Sequence, residues 1–386
     1  MALAELGWFA EAEASFQEAL RLAPRHVEAH DNLASTYRKQ GRLEEAAACY
    51  DLALWLDPQS ATTRWNRSLV LLHMGSFREG WAEYEWRWRR PKAPVLGGRQ
   101  RAFGRPLWDG SPLGGRRLLL HMEQGLGDMF QFIRYADLVK QRGATVMVES
   151  PALVLPLLST CPGIDRAVAE GDPLPEFDVH CPLLSLPRLL ETTLETIPAK
   201  VPNLFAEPQR IAHWRQRLEK LRGFKIGIAW QGNPHHRWDR FRSVAVSHFA
   251  PLARLKGVQL VSLQKGRAAE QLRSLPAGFA VAELGEGGEA GPRTFMDTAA
   301  IMNSLDLVIT VDTAVCHLAG ALGVPVWLAL STITDWRWLG QGEESPWYPT
   351  MRLFRQPELG DWRFVFTRMA REVRRLVKQS ANRGSR

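Results

Sequence analysis

The chain has 386 residues, of which 45% are hydrophobic and 23% charged, with a formal net charge of +8. This composition is typical of a folded globular protein with two or three domains and excludes a disordered or fibrous chain. No stretch approaches the ~18 consecutive apolar residues of a membrane-spanning helix. The acidic start MALAELGWFAEAEASF does not predict a secretion signal, and the four cysteines are scattered without a CxxC pair. We therefore expect a cytoplasmic protein with reduced thiols.

The positive charge is concentrated in two short segments. Residues 61–117 have 12 Lys/Arg against 4 Asp/Glu, and residues 361–386 have 8 against 2. Residues 118–360 carry 24 against 25, so the body of the protein is nearly neutral. Because no nucleic-acid module is recognisable, we expect no nucleic-acid partner, although the basic segments could favour an acidic partner or an anionic surface.

Residues 1–90 repeat themselves with a period of 34 residues. Gly7, Gly41 and Gly75 are in register, and so are Pro24 and Pro58. This pattern resembles the tetratricopeptide repeat (TPR), a helix–turn–helix unit that stacks into an α-helical solenoid. The first copy begins inside its first helix, so we expect more repeats upstream of Met1. The groove of such an array usually binds a peptide or protein, and a packing or dimerisation module is the alternative.

An α/β region follows the repeats. Residues 91–116 are rich in glycine and proline and are predicted to form a linker. Residues 117–207 are predicted to form a first Rossmann-like half with one amphipathic helix over Met129–Arg142. The predicted strands of this half are Arg117–Met122, Thr145–Val148, Ala167–Ala169, Phe177–Val179 and Val201–Phe205.

A glycine-rich turn follows the first of these strands, and it contains Gln124, Gly125, Gly127 and Asp128. An NAD fingerprint would need a third glycine where Phe130 stands, although Glu149 is near the place of the ribose-binding acid. A dinucleotide site is therefore disfavoured. The carboxylate of Asp128 could instead take a proton from an acceptor hydroxyl, or it could simply cap the helix.

Residues 208–360 are predicted to form a second Rossmann-like half. Its strands are predicted at Lys225–Trp230, Val258–Leu263, Val281–Leu284, Leu307–Val311 and Val326–Leu330. Polar residues follow these strands, where parallel sheets bind ligands: Gln231, Gln264, Lys265, Asp312 and Thr313. A helix begins after Thr313 and carries His317 one turn in, so its amino end suits a phosphate. A helix cap and a structural histidine are the alternative interpretation.

The loop after the strand at 225–230 is basic and reads QGNPHHRWDRFRSV. Its side chains Arg237, Arg240, Arg242 and Ser243 offer hydrogen-bond donors to a diphosphate, and arginine suits bidentate phosphate contacts. A solvated basic loop is the alternative. Residues 361–386 are predicted to form a basic amphipathic helix and tail.

Four segments together resemble bacterial glycosyltransferases of the heptosyltransferase-like class, glycosyltransferase family nine. They are EQGLGD, QGNPHHRWDRFRS, LVSLQKG and DLVITVDTAVCHLAGALG. The resemblance implies a GT-B fold, in which two Rossmann-like domains flank the active site and the final helix crosses back to the first domain. It also implies that Asp128 is the acceptor-activating base. Arg240 and Arg242 then stand on the phosphate side, where the family often has a lysine, and Asp312, Thr313 and His317 match the nucleotide-sugar motif.

The predicted reaction is an inverting, metal-independent transfer from a nucleotide-diphosphate sugar to a protein or glycan. No D-x-D motif occurs, so we expect no catalytic metal, and no cofactor besides the sugar donor. Repeats ahead of a GT-B unit are also similar to the O-linked N-acetylglucosamine transferases. The alternative function is an inactive GT-B/TPR scaffold for protein–protein interaction.

Overall fold

The computed structural model describes residues 2–90, 103–285 and 294–384, with side chains described through residue 379. Residues 91–102 of the predicted linker and the last two residues of the predicted tail lie outside this range. The chain forms two compact units. The first contains the repeats together with Ser185–Ile197 and Thr332–Gly342, and the second contains the remaining α/β residues. The predicted domains, with boundaries at 90, 116, 207 and 360, are each continuous in sequence, unlike these two units, and they stay predictions.

The first unit is built from antiparallel helix pairs. Its elements are α1 (Ala2–Leu6), α2 (Phe9–Leu22), α3 (Val27–Lys39), α4 (Leu43–Leu56), α5 (Ala61–His73), α6 (Phe77–Tyr84) and a 3₁₀ helix at Glu85–Arg89. Gly7, Gly41 and Gly75 have φ of 87°, 77° and 84°, a left-handed conformation that ends the first helix of each pair. The 34-residue period therefore reflects the same need for a left-handed residue after the first helix of each of the three pairs.

The third helix pair is covered by the two other segments of the first unit. The ring of Trp336 lies edge-on to Phe77 and Trp81, with centroid distances of 6.4 and 5.2 Å. Arg87 Nη2 donates to Ser185 Oγ at 2.8 Å. The aromatic side chains at the end of the helical array are therefore buried by chain from much later in the sequence.

The second unit begins with a four-stranded parallel sheet in the order β3-β2-β1-β4. The strands are β1 (Arg117–His121), β2 (Thr145–Ser150), β3 (Arg166–Ala169) and β4 (Val179–Pro182). The helices in this part of the chain are α7 (Leu126–Phe132), α8 (Tyr135–Gln141), α9 (Leu155–Leu158) and α10 (Leu186–Leu189), with α10 in the first unit. The carboxyl end of β1 leads directly into the glycine turn.

A five-stranded parallel sheet completes the second unit, in the order β6-β5-β7-β8-β9. Its strands are β5 (Phe224–Ala229), β6 (Val258–Ser262), β7 (Leu307–Val311), β8 (Val326–Leu330) and β9 (Met351–Arg355). Its helices are α11 (Pro208–Leu218), α12 (Asp239–Arg242), α13 (Ala250–Ala253), α14 (Phe295–Met302), α15 (Ala314–Ala321) and α16 (Trp362–Gly384). The chain runs from β5 to β6 on one side and later returns to β7 on the other. In such sheets this reversal of strand order opens the ligand-binding crevice.

The predicted fold class is confirmed: an α-helical TPR solenoid precedes two Rossmann-like parallel sheets. Among the described residues, no helix is both long enough and apolar enough to cross a bilayer.

Several predicted elements differ from the structure. The single helix over Met129–Arg142 is two helices, α7 and α8, because the chain turns at Ile133 and Arg134. Val201–Phe205 is not a strand, since the N–H groups of Asn203 and Leu204 donate to Ala321 O rather than to a sheet. Val281–Leu284 makes a single bridge, through Ala282, to Val261. The strand predicted at 177–179 lies at β4 instead, and β9 was not predicted.

Asp297 ties α11 to α14 and gives a testable pH dependence. Burial alone would raise its pKa, but hydrogen bonds from the Thr294 backbone, Trp214 and Arg210 outweigh burial and lower the pKa to about 2. A carboxylate whose pKa falls on folding stabilises the protein above its unfolded pKa, and this contribution is lost as the pH falls toward the folded pKa. We expect Asp297→Asn to lower the free energy of unfolding at pH 7 by about 2 kcal/mol or more.

Urea unfolding of both proteins from pH 7 to pH 2.5 measures this difference. The gap between wild type and variant is expected to be constant above about pH 5 and to shrink below it. A gap that is independent of pH would show that the Asp297 charge is not what stabilises the contact.

Candidate functional site

The amino ends of α7 and α15 meet in the second unit, so the carboxyl ends of β1 and β7 face one another. The contact passes through Gly127. A Cβ atom added there would lie 3.0 Å from His317 Cδ2 and 3.5 Å from Ala314 Cα. Since 3.0 Å is tighter than real Cβ contacts normally are, a side chain at residue 127 would push the two helices apart. The second glycine of the predicted turn is therefore a spacing residue between the two sheets.

Asp128 lies half-buried on the first turn of α7. Its Oδ2 accepts a hydrogen bond from the Gly125 N–H at 2.9 Å, so the carboxylate caps the helix, as the structural interpretation expected. Capping fixes where the carboxylate points, and a proton acceptor must be positioned before it can work. The two interpretations are therefore compatible at this residue, and the role of base stays a prediction.

Asp312 and Thr313 follow β7, on the far side of this contact. The hydroxyl of Thr313 accepts from Val315 N–H at 3.3 Å and so caps α15. His317 is 5% exposed, and its Nδ1 lies 3.0 Å from the hydroxyl of Tyr348. Asp128, Thr313 and His317 thus lie on the two segments that meet at Gly127, and their roles stay predictions.

The basic loop after β5 lines a cavity of about 610 Å³. Gln231, Arg237, Arg240 and Ser243 are among its lining residues. Arg240 is exposed, and among the described residues no carboxylate pairs with it; its guanidinium stacks 4.5 Å from the centroid of the Phe241 ring. The cavity therefore presents a positive charge that suits a phosphate.

Arg242 and Ser243 shape this loop from within. Arg242 Nε donates to the buried carboxylate of Asp239 at 3.1 Å, and Ser243 Oγ accepts from Gly232 N–H at 3.0 Å. A Cβ atom at Gly232 would lie 2.7 Å from Asp239 Oδ1, so a side chain there would displace the Asp239–Arg242 pair. Ligand binding by Arg242 and Ser243 stays a prediction.

The residues after β6 brace the same region. Gln264 Oε1 accepts from the N–H groups of both Trp230 and Gln231, each at 3.0 Å, and its Nε2 donates to Gln231 O at 3.1 Å. Lys265 Nζ donates to Thr294 O at 3.1 Å. These contacts fix the two neighbouring loops, because the carboxamide of Gln264 is hydrogen-bonded to backbone groups. Nucleotide binding by Gln264 and Lys265 stays a prediction.

One group of side chains in the described part of the chain could hold a metal ion. The ligand atoms of Asp312, Cys316 and His317 lie within 4.8 Å of one another. The Cys316 thiol donates to Thr313 O at 2.9 Å, a bond between residues three apart at the amino end of α15. The sequence did not suggest this group, because it predicted no catalytic metal.

Two residues near His317 were not among the site residues predicted from the sequence. Arg134 and Tyr348 are both buried and lie against one another, with the guanidinium carbon 4.5 Å from the ring centroid. Nothing in the local sequence joins them, since they are brought together by the packing of α7 and α15. The helical periodicity over Met129–Arg142 predicted one continuous helix and so gave no sign of the turn at Arg134.

Comparison with known proteins identifies the repeats directly. A family described as "Tetratricopeptide repeat" matches residues 1–26, and one described as "TPR repeat" matches residues 34–75. These residues are tetratricopeptide repeats. Protein FlbA of Caulobacter vibrioides is 31% identical over 401 residues, which covers 93% of this chain and 63% of FlbA. The chain thus spans less than two thirds of that relative's length.

Solved structures of glycosyltransferases are similar to this chain. A glycosyl transferase family 9 protein from Veillonella parvula has 12% identity and a TM-score of 0.48, covering 64% of this chain and 88% of its own. The ADP-heptose LPS heptosyltransferase II of E. coli has 16% identity and a TM-score of 0.45, covering 69% and 99%. An O-GlcNAc transferase mutant from Thermobaculum terrenum has 14% and 0.32, covering 98% and 90%.

Proposed function

We propose that this chain is a heptosyltransferase-like glycosyltransferase, which moves a sugar from a nucleotide-diphosphate donor to a hydroxyl of a protein or glycan acceptor. The observation that supports the proposal is the contact of Gly127, the residue before Asp128, with Ala314 and His317 at the amino end of α15. A base on one side and a phosphate-binding edge on the other are what the reaction needs. The motif resemblance in EQGLGD and DLVITVDTAVCHLAGALG supports the same assignment.

The proposed reaction is a single displacement with inversion. Asp128 accepts the proton of the acceptor hydroxyl as its oxygen attacks the anomeric carbon. The bond between that carbon and the diphosphate breaks, and its electron pair leaves with the diphosphate. Arg240 and the amino end of α15 stabilise the negative charge that develops there. Gln124, Gly125, Gly127 and Gln231 are proposed to contact the nucleotide sugar.

The repeats supply a second proposed role, in which their groove binds a peptide or protein. A protein acceptor would then be held by the repeats while its hydroxyl reacts at the second unit. This role depends on the acceptor being a protein, whereas a glycan acceptor would leave the groove to another partner.

A nucleotide panel tests the proposed function. We expect one of ADP, GDP, UDP or CMP to raise the melting temperature, because a ligand at a hundredfold over its dissociation constant stabilises the folded state by about 2.7 kcal/mol. For domains of about 150–250 residues each kcal/mol raises the melting temperature by about 2–4 °C, so the expected shift is about 5–11 °C. Thermal-shift measurements with each nucleotide, and with NAD, are made with and without EDTA.

The expected result is a shift with one nucleotide that EDTA leaves unchanged. A shift that EDTA abolishes would contradict metal independence and would direct attention to Asp312, Cys316 and His317. A shift with NAD alone would overturn the transferase. No shift with any of the five would favour the inactive GT-B/TPR scaffold.

A further inference from the structure

The imidazole of His317 is held from one side by Tyr348. The tyrosine hydroxyl lies 3.0 Å from His317 Nδ1, and both side chains are buried. The tyrosine ring is itself fixed on α15, because a Cβ atom added at Gly320 would lie 2.4 Å from Tyr348 Cδ1. His317 and Gly320 are three residues apart and so lie on one face of the helix. The tyrosine therefore spans this face from the glycine to the histidine.

The opposite edge of the imidazole points toward α7. A Cβ atom at Gly127 would lie 3.0 Å from His317 Cδ2 and 3.7 Å from Nε2. The edge that carries Nε2 thus faces the amino end of α7, one residue before Asp128. A proton on Nε2 would therefore point toward the edge where the two sheets meet.

Arg134 completes the arrangement on the far side of the tyrosine. Arg134 is 3% exposed, and its guanidinium donates to Gln131 O at 2.7 Å, Trp347 O at 2.6 Å and Pro198 O at 3.2 Å. Among the described residues no carboxylate pairs with it, and its Nη2 has no hydrogen-bond partner. A buried cation without a counter-ion is costly, and the face of the Tyr348 ring 4.5 Å away offsets part of this cost.

A cation above a phenol ring withdraws electron density from it. The hydroxyl then becomes a stronger hydrogen-bond donor, since neighbouring groups in a buried network polarise one another. The nitrogen 3.0 Å from this hydroxyl is His317 Nδ1, which is the acceptor when the tyrosine donates. A neutral imidazole that accepts at Nδ1 must carry its proton on Nε2.

We propose that Tyr348 and Arg134 are positioning residues for His317: they hold its imidazole with Nδ1 as acceptor and Nε2–H directed to the edge shared by α7 and α15. There Nε2–H donates a hydrogen bond to the departing diphosphate. The last step rests on the proposed transferase function, whereas the tautomer of His317 does not.

The tautomer is measured by ¹⁵N NMR on protein labelled at its ten histidines, with the His317 signals assigned from their loss in His317→Gln. Wild type is expected to show an unprotonated Nδ1 and a protonated Nε2, and Tyr348→Phe a mixture of both tautomers. Tyr50→Phe, which removes a buried hydroxyl in the repeat unit, serves as the matched control and is expected to leave the signals unchanged. A wild-type signal with Nδ1 protonated, or no change in Tyr348→Phe, would overturn the proposal.

Kinetics then connect the tautomer to transfer. With the nucleotide sugar that the panel identifies, Tyr348→Phe is expected to lower kcat by about 10-fold with little change in KM, as for a contact made in the transition state. In His317→Gln, whose amide occupies the region of Nε2, the second change Tyr348→Phe is expected to have no further effect. An equal loss in both backgrounds would mean that Tyr348 acts through the fold rather than through His317.

A failure here is distinguishable from a failure of the proposed function. If no nucleotide binds, the transferase proposal fails while the NMR experiment still reports the tautomer. If a nucleotide binds and the tautomer is wrong, only the positioning role fails.

Discussion

Replacing Asp128 with Asn is expected to lower the rate of sugar transfer by about 10³-fold, because a positioned general base contributes between 10²- and 10⁴-fold. Asparagine keeps an oxygen that can accept from the Gly125 N–H, so the cap of α7 is preserved. The melting temperature and the affinity for the nucleoside diphosphate should therefore stay close to those of wild type. Transfer is followed as release of the nucleoside diphosphate from the sugar donor in the presence of acceptor.

Two variants separate the base from the cap. Asp128→Ala removes both, so it is expected to lose activity and also about 1 kcal/mol of stability. Asp137→Asn, at an exposed carboxylate of α8 that accepts from Gln141, is the matched control and should transfer normally. If Asp128→Asn retained activity while Asp128→Ala lost it, the carboxylate would be a cap only.

Replacing Gly127 with Ala is expected to lower the transfer rate between 10- and 100-fold in a protein that still folds. The added Cβ meets His317 Cδ2 at 3.0 Å, so α7 and α15 must separate by a few tenths of an ångström. Small displacements of reacting groups are costly, and about 1 Å can cost 10²-fold. Steady-state kinetics and thermal unfolding of the same samples measure the two effects.

Gly125→Ala provides the control within the same turn. Gly125 has a φ of −76°, and its added Cβ meets only Asp128 Oδ2, at an ordinary 3.5 Å. We expect this variant to be active within a few-fold of wild type. Equal losses in the two variants would show that the turn tolerates no side chain for reasons unrelated to the contact with α15.

The fold could be predicted from the sequence because its main signals are local. The left-handed glycines of the repeats recur at a fixed spacing, and the central strands β1, β5, β7 and β8 are short apolar runs followed by turns. The edge strand β9 was missed because MRLFR mixes charged and apolar residues, although its neighbours bury three of the five. The strand predicted at Val281–Leu284 forms only a single bridge, through Ala282, because an apolar run alone does not tell whether a partner strand is available.

The site was predictable only where one segment carries it. Asp128 and the residues from Asp312 to His317 each belong to a recognisable turn, so they could be chosen from the sequence. That Gly127 separates those turns, or that Arg134 and Tyr348 stand behind His317, depends on contacts between residues about 190 or more positions apart. No periodicity in the chain encodes such contacts, because they arise only when the two sheets pack.

We propose that a nucleoside diphosphate binds at the carboxyl ends of the strands of the second sheet, beside Arg240. Isothermal titration with the nucleotide chosen by the thermal-shift panel tests it on wild type, Arg240→Ala and Arg222→Ala. Arg222 is also an exposed arginine, but it precedes β5 and so lies at the opposite end of the strand. A charge-assisted hydrogen bond contributes about 1.5–3 kcal/mol. We predict that Arg240→Ala binds 10- to 100-fold more weakly while Arg222→Ala binds as wild type does. Unchanged affinity in Arg240→Ala, or an equal loss in both variants, would contradict binding of the nucleotide beside Arg240.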